Sequence, residues 1–292
     1  MDVSIIIVNY NTKDVTDICI NSVIKQTSGV DYEIILVDNA SSDGSREFFS
    51  SRKEIVYIYN KNNVGFGRAN NIGLEHASGK YIFFLNSDTV LLNNALKHYC
   101  EFARCHDNLG VIGSFLVDGK CQRTHSFGTF PSISNLWEVR LKSLTNRNKK
   151  ENSRIPKEIK NESYFEVDYV TGADMFVERK VLDKVGYFDP DFFMYFEETE
   201  LQYRIRRSGY ANVIILTPKI MHLEGKSFSS DGRNFNKELI IQRSSLLYYK
   251  KTSTNFYYIL FRIFFFFFEV PKILFQRAPL SYKMKLFHII IC

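Results

Sequence analysis

Short apolar runs alternate with amphipathic stretches through the first half of the chain. Four runs are continuous and rich in β-branched or aromatic residues, which is typical of strands buried on both faces of a sheet. They cover residues 3–8, 33–37, 55–59 and 81–85. The stretches between them place apolar residues at helical spacing, and the first of these residues are Val15, Ile18, Cys19, Val23 and Ile24. This alternation predicts an open α/β fold whose central, mostly parallel sheet is flanked by helices.

Polar residues follow three of these runs directly. They are Asn9 and Tyr10 after the first run, Asp38 after the second, and Asn86, Ser87 and Asp88 after the fourth. Since the carboxyl ends of parallel strands meet at one edge of a sheet, we expect these side chains to lie together. Ligands of open α/β sheets bind beyond that edge. The sequence therefore predicts a ligand site there.

Two acids at this edge have predicted roles, and each role has a structural alternative. Asp38 can accept hydrogen bonds from a nucleoside, or it can cap the next helix. Asp88 is a hard oxygen ligand suited to Mg²⁺ or Mn²⁺ carrying a phosphate, or it starts a turn or caps a helix near Leu91. No GxGxxG follows the first run, so the pattern disfavours NAD binding.

The second half is predicted to contain strands at 109–117 and 211–216 and helices at 179–185 and from Glu197 onward. Within residues 165–177, a Thr-Gly-Ala step before an apolar run would let the backbone approach a ligand closely. Residues 142–163 are polar and poor in apolar residues, which predicts a mobile surface loop. We divide the chain into a domain of residues 1–233 and a C-terminal helical extension of residues 234–292. Within the first, residues 1–117 contain the predicted ligand edge and residues 118–233 form a second half.

Three glutamates, Glu197, Glu198 and Glu200, begin one predicted helix. They either complement the helix dipole or include a general base. His222 follows the strand at 211–216, and its imidazole is either a ligand for a divalent ion or a structural group. Lys226 and Arg233 are weaker predictions for phosphate contact.

The C-terminal extension is aromatic and basic. Residues 256–268 are apolar except for Arg262, and this run is shorter than the roughly 20 residues that cross a bilayer. From residue 250 onward the sequence has one acidic residue, Glu269, and seven basic residues. The basic residues are Lys250, Lys251, Arg262, Lys272, Arg277, Lys283 and Lys285. The pattern predicts a helix lying in an anionic membrane interface. The alternative is a helix packed on the domain or on a second subunit.

Composition limits the number of domains, the cellular compartment and the partners that we expect. The chain has 292 residues, 45% of them hydrophobic, which is enough for one large domain or two small ones. Its five cysteines form no CxxC pair, and Met1 leads directly into a strand pattern, so we expect a cytoplasmic protein without a signal peptide. The formal net charge of +6 is mild, and we expect no nucleic-acid partner.

Several segments together resemble the family 2 glycosyltransferases of the GT-A fold, near their rhamnosyltransferase-like bacterial members. The matching segments are residues 4–11, 37–44, 63–73 and 85–89, followed by a second signature through residues 172–173, 186–189 and 197–201. Two departures stand out. The metal motif, often Asp-x-Asp, reads Asn86-Ser87-Asp88, and the second signature, usually ending Glu-Asp-x-Asp-Leu, has Glu at both Asp positions.

The resemblance implies that residues 1–117 form a nucleotide-binding half and that residues 118–233 carry acceptor-binding and catalytic residues. It also implies specific site residues. Asp38 would contact the nucleotide base, Asp88 and His222 would bind Mg²⁺ or Mn²⁺, and Glu198 would be the catalytic base with Glu197 as its neighbour. The remaining residues implied for donor binding are Val8, Asn9, Tyr10, Asn63, Gly67, Arg68, Asn70, Asn86 and Ser87.

The implied function is inverting transfer of a sugar from dTDP-rhamnose or a UDP-sugar to a glycan or lipid-linked acceptor. The expected setting is O-antigen or capsule synthesis at the cytoplasmic face of the inner membrane. One alternative is an inactive subunit that binds a nucleotide-sugar, because Asn86 and the two glutamates depart from the motifs. Another is a nucleotidyltransferase, which would carry a phosphate loop rich in glycine and lysine where residues 9–12 stand.

Overall fold

The computed structural model describes residues 1–132, 163–223, 234–275 and 278–291. The predicted loop at 142–163 therefore lies outside the described residues except for Ser163, as do Lys226 and Arg233. The predicted domain boundary after residue 233 adjoins one of these gaps and stays a prediction.

The first half follows the predicted alternation of strands and helices. Its elements are β1 (Val3–Asn9), α1 (Lys13–Gln26), β2 (Tyr32–Asp38), α2 (Ser45–Ser50), β3 (Val56–Tyr59), α3 (Phe66–His76), β4 (Tyr81–Asn86), β5 (Thr89–Leu91) and α4 (Ala95–Cys105). The short strand β5 and the helix α4 were not predicted. Leu91 belongs to β5, so the expected helix near it is wrong; α4 instead begins after Asn94, whose side chain accepts a hydrogen bond from the Lys97 amide.

The second half contains β6 (Leu109–Val117), β7 (Phe127–Gly128), β8 (Tyr164–Val167), β9 (Tyr169–Val170), β10 (Asp174–Glu178), α5 (Arg179–Val185), α6 (Glu197–Arg207) and β11 (Ala211–His222). The C-terminal extension forms α7 (Phe235–Thr252), α8 (Asn255–Phe275) and α9 (Leu280–Ile291). The segment at 165–177 contributes to three strands, β8, β9 and β10, and the strand predicted at 211–216 continues in β11 to His222.

The main sheet among the described residues has the order β3-β2-β1-β4-β10-β6-β11-β5, with β8 beside β11. Strands β3, β2, β1, β4, β6 and β11 run in one direction, whereas β10, β5 and β8 run against them, so the sheet is mostly parallel as predicted. Asn9 is level with Asp38, and Val8 is level with Asn86. The expected ligand edge therefore forms at the carboxyl ends of β2, β1 and β4.

Helices cover both faces of this sheet. Ile5 and Ile7 of β1 point into one core with residues of α1, α2 and α4, whereas Ile6 between them points into the other core with α3, α5 and α6. The predicted buried face of α1 is partly wrong, because Ile18 and Ile24 are exposed. Polar residues take core positions there: Thr16 donates to Asn9 Oδ1, and Ser22 Oγ accepts from the Leu91 amide.

The C-terminal helices form a third apolar cluster, which also includes Phe192 from the turn before α6. The alternative of a helix packed on the domain therefore holds for one face of the extension. Its other face remains exposed at Phe256, Ile263 and Phe267. Across the described parts of the chain, no helix combines the length and apolar character needed to cross a membrane.

Candidate active site

Asn9 is completely buried at the end of β1 and organises the loop that follows. Its Oδ1 accepts hydrogen bonds from the hydroxyls of Thr12 (2.8 Å) and Thr16 (2.9 Å), and its Nδ2 donates to Ser41 Oγ (3.0 Å). The side chain thus shapes the ligand edge from within, while neighbouring Tyr10 is exposed.

Asp38 at the end of β2 is also completely buried. Its Oδ1 accepts from the Ser41 amide (2.9 Å), and its Oδ2 accepts from the Tyr57 hydroxyl (2.7 Å). Burial, followed by the hydrogen bond to Asp38, raises the pKa of Tyr57. The helix-capping alternative is wrong, because Asp43 rather than Asp38 accepts the first amide of α2, from Ser45 (3.1 Å).

Asn39 links the ligand edge to the predicted donor segment, and the sequence had suggested no role for it. Its Nδ2 donates to Asn63 Oδ1 (2.8 Å) and to the Gly65 carbonyl (3.3 Å), while its Oδ1 accepts from the Val64 amide (3.0 Å). The side chain is buried. Its position directly after Asp38 at a strand end was the available signal.

Two glycines let the donor segment approach the turn before α6. Gly65 has φ +89°, and a Cβ there would lie 2.2 Å from the Phe193 carbonyl oxygen. Phe193 accepts a hydrogen bond at that oxygen from the Phe66 amide (2.9 Å). A Cβ on Gly67 would lie 3.1 Å from Phe188 Cβ and 3.6 Å from Glu197 Cβ. Only residues without side chains allow this close packing.

The other predicted donor residues of this segment differ in exposure. Arg68 is exposed and donates from Nε to the Pro190 carbonyl (2.5 Å). Asn70 is buried and donates to the Phe66 carbonyl (3.1 Å) inside α3. Arg68 is thus placed to reach solvent or a ligand, whereas Asn70 supports the helix.

Asp88 and His222 lie side by side, 134 residues apart in the chain. Asp88 Oδ1 is 3.1 Å from His222 Nε2, and both side chains are largely buried. The antiparallel pairing of β5 with β11 places His222 opposite Thr89 and explains the contact. Asp88 does begin a turn, between β4 and β5, but the first turn of α4 is capped by Asn94.

This pair fits a divalent cation that carries a phosphate. A carboxylate oxygen and an imidazole nitrogen are both ligand atoms for such ions. The described residues contain no group of three His, Cys, Asp or Glu side chains that could hold a metal. An ion at Asp88 and His222 would therefore complete its coordination with oxygens from a ligand, as the oxygens of a diphosphate can provide.

Glu197 and Glu198 begin α6 in a poorly solvated place. Glu197 is 3% exposed, and its Oε2 has no hydrogen-bond partner among the described residues. Burial, followed by the neighbouring Glu198 charge, raises the pKa of Glu197 well above its usual value. Burial also raises the pKa of Glu198, which is less enclosed and accepts a long hydrogen bond from Thr199 Oγ1 (3.4 Å).

Residues 172–173 connect the strand that leads to Asp88 with these glutamates. The Ala173 carbonyl accepts from the Asn86 amide (3.0 Å), and a Cβ on Gly172 would lie 3.6 Å from Glu198 Cβ. Burial, followed by the Glu198 charge, raises the pKa of nearby Tyr169 to about 12. The short step through Gly172 and Ala173 therefore brings the two parts of the site next to each other.

Glu200 has a structural role. Arg204 donates hydrogen bonds to both of its carboxylate oxygens, at 2.8 Å and 2.9 Å, and also donates to the carbonyls of Val185 and Tyr187. Of the three glutamates, Glu200 thus fixes the preceding turn to α6. The spacing of four residues between Glu200 and Arg204 was a signal in the sequence.

Backbone strain occurs immediately before the two other glutamates. Tyr195 and Phe196 both have φ +68°, although neither is glycine. Such conformations cost on the order of 1–3 kcal/mol each and persist where the surroundings enforce them, often at functional sites. No feature of these aromatic residues signals a left-handed backbone, so the sequence did not predict it.

The comparisons with known proteins agree with this geometry. The model of the family described as glycosyl transferase family 2 matches residues 4–186. The chain is 29% identical over 214 residues to the low-salt glycan biosynthesis hexosyltransferase Agl10 of Haloferax volcanii, covering 71% of this chain and 62% of Agl10. It is 38% identical over 99 residues to the Escherichia coli UDP-Glc:alpha-D-GlcNAc-diphosphoundecaprenol beta-1,3-glucosyltransferase WfgD, covering 32% and 38%. The match thus spans less than two thirds of either relative.

Solved structures share the fold. The mannosyltransferase PcManGT of Pyrobaculum calidifontis, in complex with GDP-Man and Mn²⁺, superimposes with a TM-score of 0.58 at 14% identity, covering 98% of this chain and 68% of that one. TarS of S. aureus superimposes with a TM-score of 0.57 at 14% identity, covering 98% and 42%. These likenesses confirm the predicted GT-A fold.

Proposed function

Since the chain belongs to glycosyl transferase family 2, we propose that it transfers a sugar from a nucleotide-diphosphate sugar to a hydroxyl group with inversion at the anomeric carbon. One observation carries the proposal beyond family membership. Glu198 lies next to Gly172, Glu197 lies next to Gly67 of the donor segment, and Ala173, which follows Gly172, is hydrogen-bonded to the strand that leads to Asp88. A base and a phosphate-binding edge are the two parts that such a transfer needs.

Glu198 is the proposed base. Burial raises the pKa of both carboxyls, and the neighbouring Glu198 charge raises that of Glu197 further, so we assign the role of base to Glu198, the less enclosed of the two. Glu198 then takes the proton of the acceptor hydroxyl. The acceptor oxygen bonds to the anomeric carbon from the face opposite the diphosphate, and the bond between that carbon and the diphosphate oxygen breaks.

Asp88 and His222 would hold Mg²⁺ or Mn²⁺ at the diphosphate, and the ion would supply charge neutralisation for the leaving group. The Mn²⁺ in the PcManGT complex supports a divalent ion in this fold. Asn39 and Asn9 hold the loops at the edge where the nucleotide would lie. The hydrogen-bonded pair of Asp38 and Tyr57 lies at the same edge. The glycine contacts of the donor segment keep that segment against the turn before Glu197.

The proposed donor is a UDP-sugar or dTDP-rhamnose, and the acceptor is a glycan or a lipid-linked sugar in surface polysaccharide synthesis. The name of WfgD, with its UDP-Glc donor and diphosphoundecaprenol acceptor, supports the UDP-sugar and lipid-linked options. The nucleotidyltransferase alternative finds no support among these comparisons.

A lipid-linked acceptor suits the exposed face of the C-terminal extension. One stripe of α8 is wholly apolar, and it consists of Phe256, Ile259, Leu260, Ile263, Phe266 and Phe267, each at least 39% exposed. On α9, Leu280, Met284 and Phe287 are exposed as well, and basic Lys285 lies in the same helix. We propose that this surface, which we call the apolar stripe, contacts the anionic cytoplasmic face of the inner membrane, because apolar insertion and basic charge act together there.

The test is a transfer assay with UDP-, dTDP- and GDP-sugars, each offered with a GlcNAc-diphospholipid acceptor and Mn²⁺ or Mg²⁺. We expect one donor to give a glycosylated product, with the rate lost on chelation of the metal. Nucleotide binding without any product from these donors would favour the inactive-subunit alternative instead.

A further inference from the structure

The turn of residues 186–196 leads directly to Glu197 and is held from the donor side by hydrogen bonds to Phe66, Arg68 and Asn71, the last of which also accepts from the Phe188 amide (3.1 Å). The Phe66 amide donates to the Phe193 carbonyl (2.9 Å), and Arg68 Nε donates to the Pro190 carbonyl (2.5 Å). Asn71 Nδ2 donates to the Phe188 carbonyl (2.7 Å). Contacts from α3 alone therefore fix one side of the turn.

The C-terminal extension holds the same turn from the opposite side. Lys251 Nζ lies 2.7 Å from Asp189 Oδ2 and 2.8 Å from Asp191 Oδ2, so one cation bridges two acids of the turn. Ser244 Oγ donates to the Met194 carbonyl (2.7 Å). Both contacts come from α7, which follows the predicted domain boundary.

Apolar contacts reinforce this attachment. Phe192 is completely buried in the cluster formed by the C-terminal helices. The ring of Phe196 lies 5.6 Å from the ring of Tyr248, and the hydroxyl of Tyr203 on α6 donates to the Thr252 carbonyl (3.2 Å). The extension thus contacts residues before Glu197 and residues within the helix that Glu197 begins.

The attached turn is the strained one. Tyr195 and Phe196, at φ +68°, lie between Met194 and Glu197. A left-handed pair of non-glycine residues relaxes when its surroundings no longer enforce it. Relaxation there would rotate the start of α6 and displace Glu197 and Glu198, because they are the next two residues.

We propose that Lys251 and Ser244 are positioning residues for the proposed reaction, and that α7 is a part of the catalytic unit. They touch no reacting atom. They hold the strained turn so that Glu198 stays next to Gly172 and Glu197 stays next to Gly67, and this role rests on the proposed transferase function.

The test compares Lys251→Met with Lys250→Met in the full chain. The substitution keeps the length of the side chain and removes its charge, and exposed Lys250 is the neighbouring control. We expect Lys251→Met to lower kcat about tenfold with the donor KM unchanged, because small displacements of a reacting group cost up to about 10²-fold in rate. Lys250→Met should match the parent, and Lys251→Arg should recover most of the loss. Ser244→Ala should lower kcat in the same way.

Hydrogen exchange of residues 188–196 provides a readout that does not depend on turnover. Lys251→Met should accelerate exchange in this segment while the melting temperature stays close to that of Lys250→Met. Equal kcat in the two variants, or a loss confined to the donor KM, would overturn the proposal. If the parent transfers no sugar, the proposed function fails, and unchanged exchange in Lys251→Met then also refutes the positioning role.

Discussion

Asp174 on β10 offers a quantitative test of how the interior of this protein treats charge. The side chain is completely buried. Its Oδ2 accepts from Tyr99 (2.9 Å), from the Ser114 amide (2.8 Å) and from Ser114 Oγ (2.6 Å), whereas Oδ1 has no hydrogen-bond partner among the described residues. Burial raises the pKa of Asp174 from 3.8 to about 7, although these hydrogen bonds and the nearby His222 act in the opposite direction.

The sign of the effect on stability follows from this shift. Between pH 4 and pH 7 the folded protein keeps a proton on Asp174 that the unfolded chain has released. The free energy of unfolding therefore falls as the pH rises through this window and levels off above it. A difference from 3.8 to 7 corresponds to about 4 kcal/mol, at about 1.4 kcal/mol for each pKa unit.

The perturbation is Asp174→Asn, which cannot ionise. Its amide nitrogen adds a buried donor where Oδ1 stood, at a cost of about 1–3 kcal/mol that does not depend on pH. We therefore expect the variant to be less stable than the parent at pH 4 and to gain about 4 kcal/mol relative to it by pH 8. Other buried acids titrate equally in both proteins, so the difference isolates Asp174.

The assay is urea unfolding followed by circular dichroism from pH 4 to pH 8, with exposed Asp107→Asn as the control. The control should stay parallel to the parent at every pH. A parallel curve for Asp174→Asn as well would refute the reasoning, because it would mean that Asp174 releases its proton equally in the folded and unfolded states.

Two further predictions concern the proposed metal site at Asp88 and His222 and the proposed membrane contact of the apolar stripe. Asp88→Ala should abolish the Mn²⁺-dependent gain in melting temperature with the matching nucleotide diphosphate, since His222 alone would remain; an unchanged gain would exclude Asp88 as a ligand. Replacing Ile259 and Ile263 with Ser should weaken the affinity for phosphatidylglycerol vesicles, measured by sedimentation, by about 30-fold or more, because the two buried apolar side chains together contribute about 2–4 kcal/mol. Ile18→Ser is the control, because Ile18 is also exposed but lies on α1. An equal loss of vesicle binding in the control, or equal binding of the parent to neutral vesicles, would contradict the membrane role of the apolar stripe.

The sequence predicted the frame of the site well because the frame depends on simple patterns. Buried strands leave continuous apolar runs, and polar residues after those runs must meet at one edge. Asn9, Asp38 and Asp88 were found in this way. Asp38 is nevertheless more buried than expected, and its two oxygens already accept hydrogen bonds from the Tyr57 hydroxyl and the Ser41 amide.

Other features depend on contacts that no local pattern encodes. The approach of His222 to Asp88 required the pairing of β5 with β11, and β5 is only three residues long. The left-handed backbone at Tyr195 and Phe196 arises from tertiary contacts, since aromatic residues do not favour it. For the C-terminal extension, packing on the domain is confirmed for one face, which contacts Phe192, whereas the membrane role of the exposed apolar stripe stays a prediction.

The measurement that tests the account most directly is the initial rate of sugar transfer by Glu198→Gln, made alongside donor affinity by calorimetry. The variant keeps the shape of the side chain and removes the base, and Glu75→Gln on the exposed side of α3 is the control. The account predicts a fall of about 10²-fold or more in rate, with donor affinity unchanged and the control fully active. A Glu198→Gln enzyme that transfers sugar at close to the parent rate would contradict the assignment of Glu198 as the base.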